Sequence, residues 1–365
     1  MGASASTSLT SKLSNEGENQ RIKYASSTMQ GCCIKKEDAL AVELDLDALK
    51  NTSFFGVYDG HGGAEVAMYC ARRFHIMLRE DKDYFNKLPN AIISVYSRLD
   101  DDLQRSNEWR ESLYPRGNGD CFQFLSANLW PSAELPETTN YVAPLRKGST
   151  ACVVIIRGNH IIVGNLGDSR CVLSENGQAF NLSIDHKPNI QPERLRIERA
   201  GGRVLSERVP FVGPGKKIRY RCGVARIEGR FGLSRAIGDF QFKQNKDMPP
   251  SQQIVTCVPD VHLVNITDKT EFLVIASDGV WSQMSSKEVV DFVRKELNSM
   301  TNLRAICEKL LDRCLLSKDN VTAILVQFKP RAAVAPNLSG IEEPGIKKEI
   351  DDDSEELPLS HHPQE

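Results

Sequence analysis

An α+β fold with antiparallel sheets is predicted for this chain by two observations. Short apolar runs rich in β-forming residues carry hairpin signals between them, and segments of clear helical periodicity lie between those runs. Residues 54–58 form the first apolar run of strand length. From 64 to 80, Ala67, Cys70, Phe74, Met77 and Leu78 recur at helical spacing. Residues 152–156 and 160–163 flank Arg157-Gly158-Asn159, which reads as a hairpin turn. A helix over 192–200 ends at Gly201-Gly202, because glycine takes the left-handed conformation that closes a helix. Residues 272–276 and 321–326 are two further strands. Between them, Ser285 and Glu288 have the spacing of a capping box ahead of Val289, Val290, Val293 and Leu297. Ile306, Cys307, Leu310, Leu311 and Cys314 then mark a last amphipathic helix.

The 365 residues suffice for one large domain or two ordinary ones. With 40% hydrophobic and 26% charged residues, the composition is that of a globular protein. A net charge of −2 gives no electrostatic footprint for nucleic acid, so no such partner is expected. The longest apolar runs are strand-sized, far below a membrane span, and the N-terminus lacks the apolar core of a secretory signal. Ten cysteines show no CxxC pair, which fits free thiols in a reducing compartment and a cytoplasmic or nuclear location.

Residues 1–20 are polar and read as a flexible arm. Residues 330–365 carry five prolines and an acidic run from Glu349 to Glu356, and read as a disordered tail. The folded domain is expected over 21–329, with a long polar insertion at 105–147. Met1-Gly2-Ala3-Ser4-Ala5-Ser6 fits the N-myristoylation pattern at Gly2. A single acyl chain gives only reversible, peripheral membrane association. Nothing in the sequence calls for an obligate assembly, so a monomer is expected.

Two apolar runs end in the same way. Residues 54–58 lead into Asp59-Gly60-His61-Gly62-Gly63, and residues 272–276 lead into Ser277-Asp278-Gly279. A buried strand that ends in Asp-Gly sets a carboxylate at a sheet rim and allows the backbone to turn there. Asp319 precedes the strand at 321, Asp239 follows Gly238, and Glu37-Asp38 form a further acidic pair. Strand-end carboxylates of this kind suit hard divalent cations with oxygen ligands.

The order of the motifs is more specific than any one of them. It starts with Met29-Gln30-Gly31 and Glu37-Asp38-Ala39, followed by Asp59-Gly60-His61-Gly62-Gly63 and Gly148-Ser149-Thr150-Ala151. Gly167-Asp168-Ser169-Arg170, Asp185-His186-Lys187-Pro188 and Ala200-Gly201-Gly202-Arg203-Val204 come next. Ser234-Arg235-Ala236-Ile237-Gly238-Asp239, Ala276-Ser277-Asp278-Gly279 and Lys318-Asp319-Asn320-Val321-Thr322 complete the series. The whole, over about residues 24–328, resembles the type 2C (PPM) metal-dependent protein serine/threonine phosphatases, and their plant branch in particular.

The resemblance implies a four-layer sandwich of two antiparallel β-sheets flanked by helices on both faces. It implies a site for two Mn²⁺ or Mg²⁺ ions, with a weaker third, and phosphorylated proteins as substrates. Asp59, Gly60, Asp278, Asp319, Asp239 and Glu37 take the positions of metal ligands, and Asp168 with Asp239 those of the third ion. His61 takes the position of the acid that protonates the leaving serine or threonine, and a hydroxide bridging the ions is the implied nucleophile. One position departs from the pattern: Cys33 stands where the family usually has an arginine that holds the substrate phosphate. That departure leaves a weakly active or inactive phosphoprotein-binding relative as the alternative. A basic segment at 203–231, with Arg203, Arg208, Lys216, Lys217, Arg219, Arg221 and Arg226, is expected to form a flap beside the site.

Overall fold

The computed structural model describes residues 9–105, 143–212, 218–300 and 302–329. The chain opens with strands β1 (Leu9–Glu18), β2 (Ile22–Gly31), β3 (Ala39–Asp47), β4 (Thr52–Tyr58) and the short β5 (Gly60–His61). Helices α1 (Glu65–Glu80) and α2 (Leu88–Arg105) follow, then β6 (Gly148–Ser149), β7 (Ala151–Arg157), β8 (His160–Leu166), β9 (Arg170–Glu175) and β10 (Gln178–Asn181). Helix α3 (Gln191–Arg199) precedes the hairpin β11 (Val204–Val212) and β12 (Ile218–Ile227). The last elements are β13 (Ile237–Gly238), β14 (Asp260–Asn265), β15 (Thr270–Ala276), α4 (Asp278–Trp281), α5 (Ser286–Ser299), α6 (Leu303–Arg313) and β16 (Val321–Phe328).

Two antiparallel sheets carry the architecture. One has the order β1-β2-β16-β15-β9-β10, the other β14-β8-β7-β4-β3. Period-two alternation along the central strands decides what each face meets. In β4, Phe55 and Val57 join Tyr24, Val154, Ile156, Leu273, Ile275 and Ile324 in the core between the sheets. The alternate residues Phe54 and Tyr58 face α1 and α2, where Phe74, Leu78, Tyr96 and Leu99 cover them. In β15, Leu273 and Ile275 point inward, while Phe272, Val274 and Ala276 meet Val289, Val293, Ile306 and Leu310 of α5 and α6. Helix, sheet, sheet and helix therefore stack as four layers, as the fold class required.

Local signals hold at most sequence-marked elements. Ser285 Oγ accepts from Glu288 N, and the Glu288 carboxylate accepts from Ser285 N at 2.8 Å, so the capping box closes. Gly201 ends α3 at φ +90°. One reading is corrected. Residues 9–18 are not an arm: they form the edge strand β1, paired with β2 from Glu18↔Lys23 to Leu9↔Gly31. Their polar sequence hides the strand because burial, on which periodicity arguments rest, is slight there. Residues 1–8, including Gly2, most of the insertion (106–142) and the tail from 330 lie outside the described residues.

His75 sits on α1, 10% exposed, with its ring 5.9 Å from that of Phe54. Burial depresses its pKa from 6.5 to about 4. The unfolded chain therefore takes up a proton at a higher pH than the folded one, and stability falls as pH drops from about 6.5 towards 4. His75→Phe should flatten this part of the pH–stability curve in denaturant titrations. An unchanged slope would show that His75 does not set it.

Candidate active site

The ends of the central strands meet at one rim of the sandwich. Asp59 follows β4, Asp168 lies between β8 and β9, and Asp278 follows β15 as the first residue of α4. One carboxylate oxygen from each of these three lies within 4.8 Å of the other two. Asp59 is fixed by its main chain: its N donates to Thr150 Oγ1 at 3.1 Å and its carbonyl accepts from Thr150 N at 2.9 Å. Burial first, then Asp38 and Asp278, push the Asp59 pKa well above the ordinary carboxylate range. Burial and Asp168 raise that of Asp278 to about 7. Such groups favour neutrality unless a cation joins them.

Two buried oxygens at the rim, Asp278 Oδ1 and Asp239 Oδ1, have no hydrogen-bond partner. Buried carboxylate oxygens left in this way are expensive. An all-oxygen, anionic cluster with unsatisfied atoms fits a hard divalent cation.

His61 and Asp239 form a second group. His61 Nε2 lies 2.6 Å from Asp239 Oδ2, and Asp239 is 1% exposed. Asp239 holds φ +53°, unusual for a residue with a side chain. Its N–H donates to Lys147 O at 3.0 Å, which helps to hold it there. A Cβ on Gly148 would overlap Asp239 Oδ2 and come within 2.8 Å of His61 Nε2, so only glycine lets the two meet. Burial lowers the His61 pKa, but Asp239 outweighs it and the net shift is upward. The ring of Phe231 lies 5.3 Å from that of His61.

The loop before β3 is held to the loop before β16 by Asn320. Its Oδ1 accepts from Glu37 N at 2.6 Å and Asp38 N at 3.3 Å, and its Nδ2 donates to Gln30 O and Lys35 O, each at 2.9 Å. This places Glu37, Asp38 and Asp319 at the same rim. Asp319 Oδ1 accepts from Asn320 N at 2.8 Å. Gly60 is pressed against the Glu37 carbonyl, which would lie 2.5 Å from any Cβ there.

A family model described as Protein phosphatase 2C matches residues 22–118 and 123–321. The chain belongs to the protein phosphatase 2C family. It is 63% identical over 332 residues to a rice protein, "Probable protein phosphatase 2C 21" from Oryza sativa subsp. japonica, covering 90% of each chain. "Putative protein phosphatase 2C 22" from the same plant is 50% identical over 421 residues, covering 94% of this chain and 72% of that protein. The fold is shared with the crystal structure of serine-threonine phosphatase 2C from Toxoplasma gondii. The TM-score is 0.64 at 20% identity, over 87% of this chain and 99% of that one.

Within this phosphatase the sequence-marked residues divide. Asp59 and Asp278 are drawn together with Asp168, while Asp239 is taken up by His61. Three contributors were not singled out by sequence. Asn320 clamps the two loops, Gly148 makes room for His61, and Lys187 pairs with Asp168. Asp38, read as half of an acidic pair, lies buried against Ser277 Oγ at 2.9 Å. Lys187 and Asn320 stand inside the ordered motifs, but a role emerges only once their partners from distant segments are in place.

Cys33 is half-buried, donating to Lys318 O at 3.1 Å and to Asp319 Oδ1 at 3.6 Å. Burial and Asp319 push its thiol up to about 12, so it remains a thiol at neutral pH. The flap segment is the β11–β12 hairpin, packed through Ile227 on Ile197 and Val255. Arg203 there is paired with Glu228 at 2.6 Å, and the side chains of Arg208, Lys216, Lys217, Arg219 and Arg221 lie outside the described residues.

Removing one of the crowded carboxylates should stabilise the metal-free protein. Asp278→Asn is expected to melt at a higher temperature than wild type at pH 8. The gap should close as pH falls from about 7 towards 4, where the unfolded chain also becomes protonated. The same variant should lose stabilisation by added Mn²⁺. A lower melting temperature at pH 8 would contradict the repulsion.

Proposed function

We propose that this phosphatase works on phosphoserine and phosphothreonine with two divalent ions, Mn²⁺ or Mg²⁺, at the rim described above. The single observation that supports this most is the convergence of Asp59, Asp168 and Asp278 within 4.8 Å, with Asp278 Oδ1 buried and unpartnered. In this reading Asp59, Asp278 and Asp319 hold the ions by their side chains, Gly60 by its carbonyl, and Glu37 from the adjoining loop. Asp239, with Asp168, serves a weaker third ion. Bound there, the ions supply Lewis acidity at phosphorus and lower the pKa of water.

The chain's own groups do the rest. His61 donates a proton to the departing serine or threonine oxygen, and Asp239 favours the protonated ring near neutral pH. Gly148 leaves that pair unobstructed. No observation favours a non-catalytic relative, since the carboxylates and His61 are all present. The test is phosphate release from phosphothreonine peptides with Mn²⁺ or Mg²⁺. Asp59→Asn should lower it roughly a hundredfold or more. Turnover that survives this change would sink the assignment.

Cys33 leaves the substrate phosphate without the planar fork that the family uses. Charge-assisted hydrogen bonds of that kind contribute about 1.5–3 kcal/mol. Cys33→Arg should therefore raise kcat/KM about tenfold or more. No gain would show that another group already holds the phosphate.

The motif at Gly2 supports myristoylation and reversible attachment to membranes. No helix among the described residues is long and apolar enough to cross a membrane. Gly2→Ala should abolish membrane co-sedimentation, and retained co-sedimentation would exclude acylation as its cause.

A further inference from the structure

Lys36 is a basic side chain that the reaction does not use, and it lies inside the mouth of the sandwich. It is 9% exposed, and Asp38 beside it is 8% exposed. Its ammonium donates to Thr28 Oγ1 and, at 3.3 Å, to Thr322 Oγ1. Those hydroxyls are 2.6 Å apart and belong to register partners on β2 and β16. Further along β16, Ile324 and Val326 share the inward face and close the core behind the threonines. Lys36 is thus seated on a polar floor at the point where the apolar core gives way to the acidic rim. Burial lowers the Lys36 pKa, and Asp38, Asp59 and Asp319, carboxylates of that rim, act against this.

We propose that Lys36 is a resident counter-cation of the metal centre, which weakens the hold on divalent ions and makes occupancy respond to their free concentration. The inference rests on the two-ion reading above. A fixed positive charge behind the ligand carboxylates opposes an incoming divalent ion, and low solvent access leaves that opposition poorly screened. It also offsets part of the repulsion among the carboxylates, so the rim remains folded when no ion is bound. Lys187 also brings a positive charge to these carboxylates, but it is paired directly with Asp168 and is one-third exposed, so solvent screens it more. Lys36 is the buried one.

The experiment is isothermal titration of the full chain with MnCl₂, comparing wild type with Lys36→Met, Lys36→Gln and Lys36→Arg. Removing the charge should tighten Mn²⁺ binding about tenfold. Lys36→Gln can still donate to the threonine hydroxyls, so it serves if the methionine variant does not fold. Lys36→Arg keeps the charge and should match wild type. Equal or weaker Mn²⁺ binding by a cooperatively folding neutral variant would overturn the proposal. Titrations with no Mn²⁺ binding in any protein, wild type included, would overturn the metal reading and this inference with it. Because the readout is heat of binding, it stays separate from loss of phosphate release.

Discussion

Like charges crowd one end of two packed sheets, and most of the local structure at that end answers to this. Two apolar faces stack to bury Phe55, Ile275 and Ile324, which aligns the strand ends. The polar residues that terminate those strands then share a small volume. Asp59 is driven towards the protonated state by burial, Asp38 and Asp278, and Asp278 by burial, Asp168 and Asp319. The fold counters with groups from distant parts of the chain. Lys187 is placed against Asp168, His61 against Asp239, and Ser277 against Asp38. What is left over, buried oxygens without a donor, suits divalent ions.

Asn320 shows how such a rim is built with few residues. A carboxamide carries donors and acceptors on one planar group. Here it satisfies two N–H groups and two carbonyls of the segment before β3. Neither an aspartate nor a leucine of the same size could do both. The clamp also sets Cys33 beside Lys318 and Asp319, so the position usually held by arginine is turned inward to protein oxygens.

Much of this was legible in the residues themselves. The apolar runs at 272–276 and 54–58, the capping box at Ser285 and the stop at Gly201 are local properties, and each appears where it was read. The Asp-Gly strand ends marked Asp59 and Asp278 for the same reason. Helix α2 and strand β1 were missed for opposite causes. The periodicity of α2 is present at Ile92, Val95, Tyr96 and Leu99 but runs into the polar insertion, whereas β1 is an edge strand with little burial to pattern it. The roles of Gly148, Lys36 and Asn320 were out of reach because each depends on a partner far away in the chain. Gly148 matters only where His61 and Asp239 approach each other, from positions separated by 178 residues.

The pairing of β1 with β2 carries a geometric consequence. Leu9, where β1 begins, is in register with Gly31, and Gly31 packs within 3.1 Å, measured from a Cβ position, of the Asp319 carbonyl. The first strand therefore enters the sheet at the acidic end of the sandwich and not at the far one. An extended chain advances at most about 3.5 Å per residue, so the seven steps from Gly2 to Leu9 span no more than about 25 Å. Anything joined to Gly2 is leashed within that radius of the point where β1 starts, beside the acidic rim.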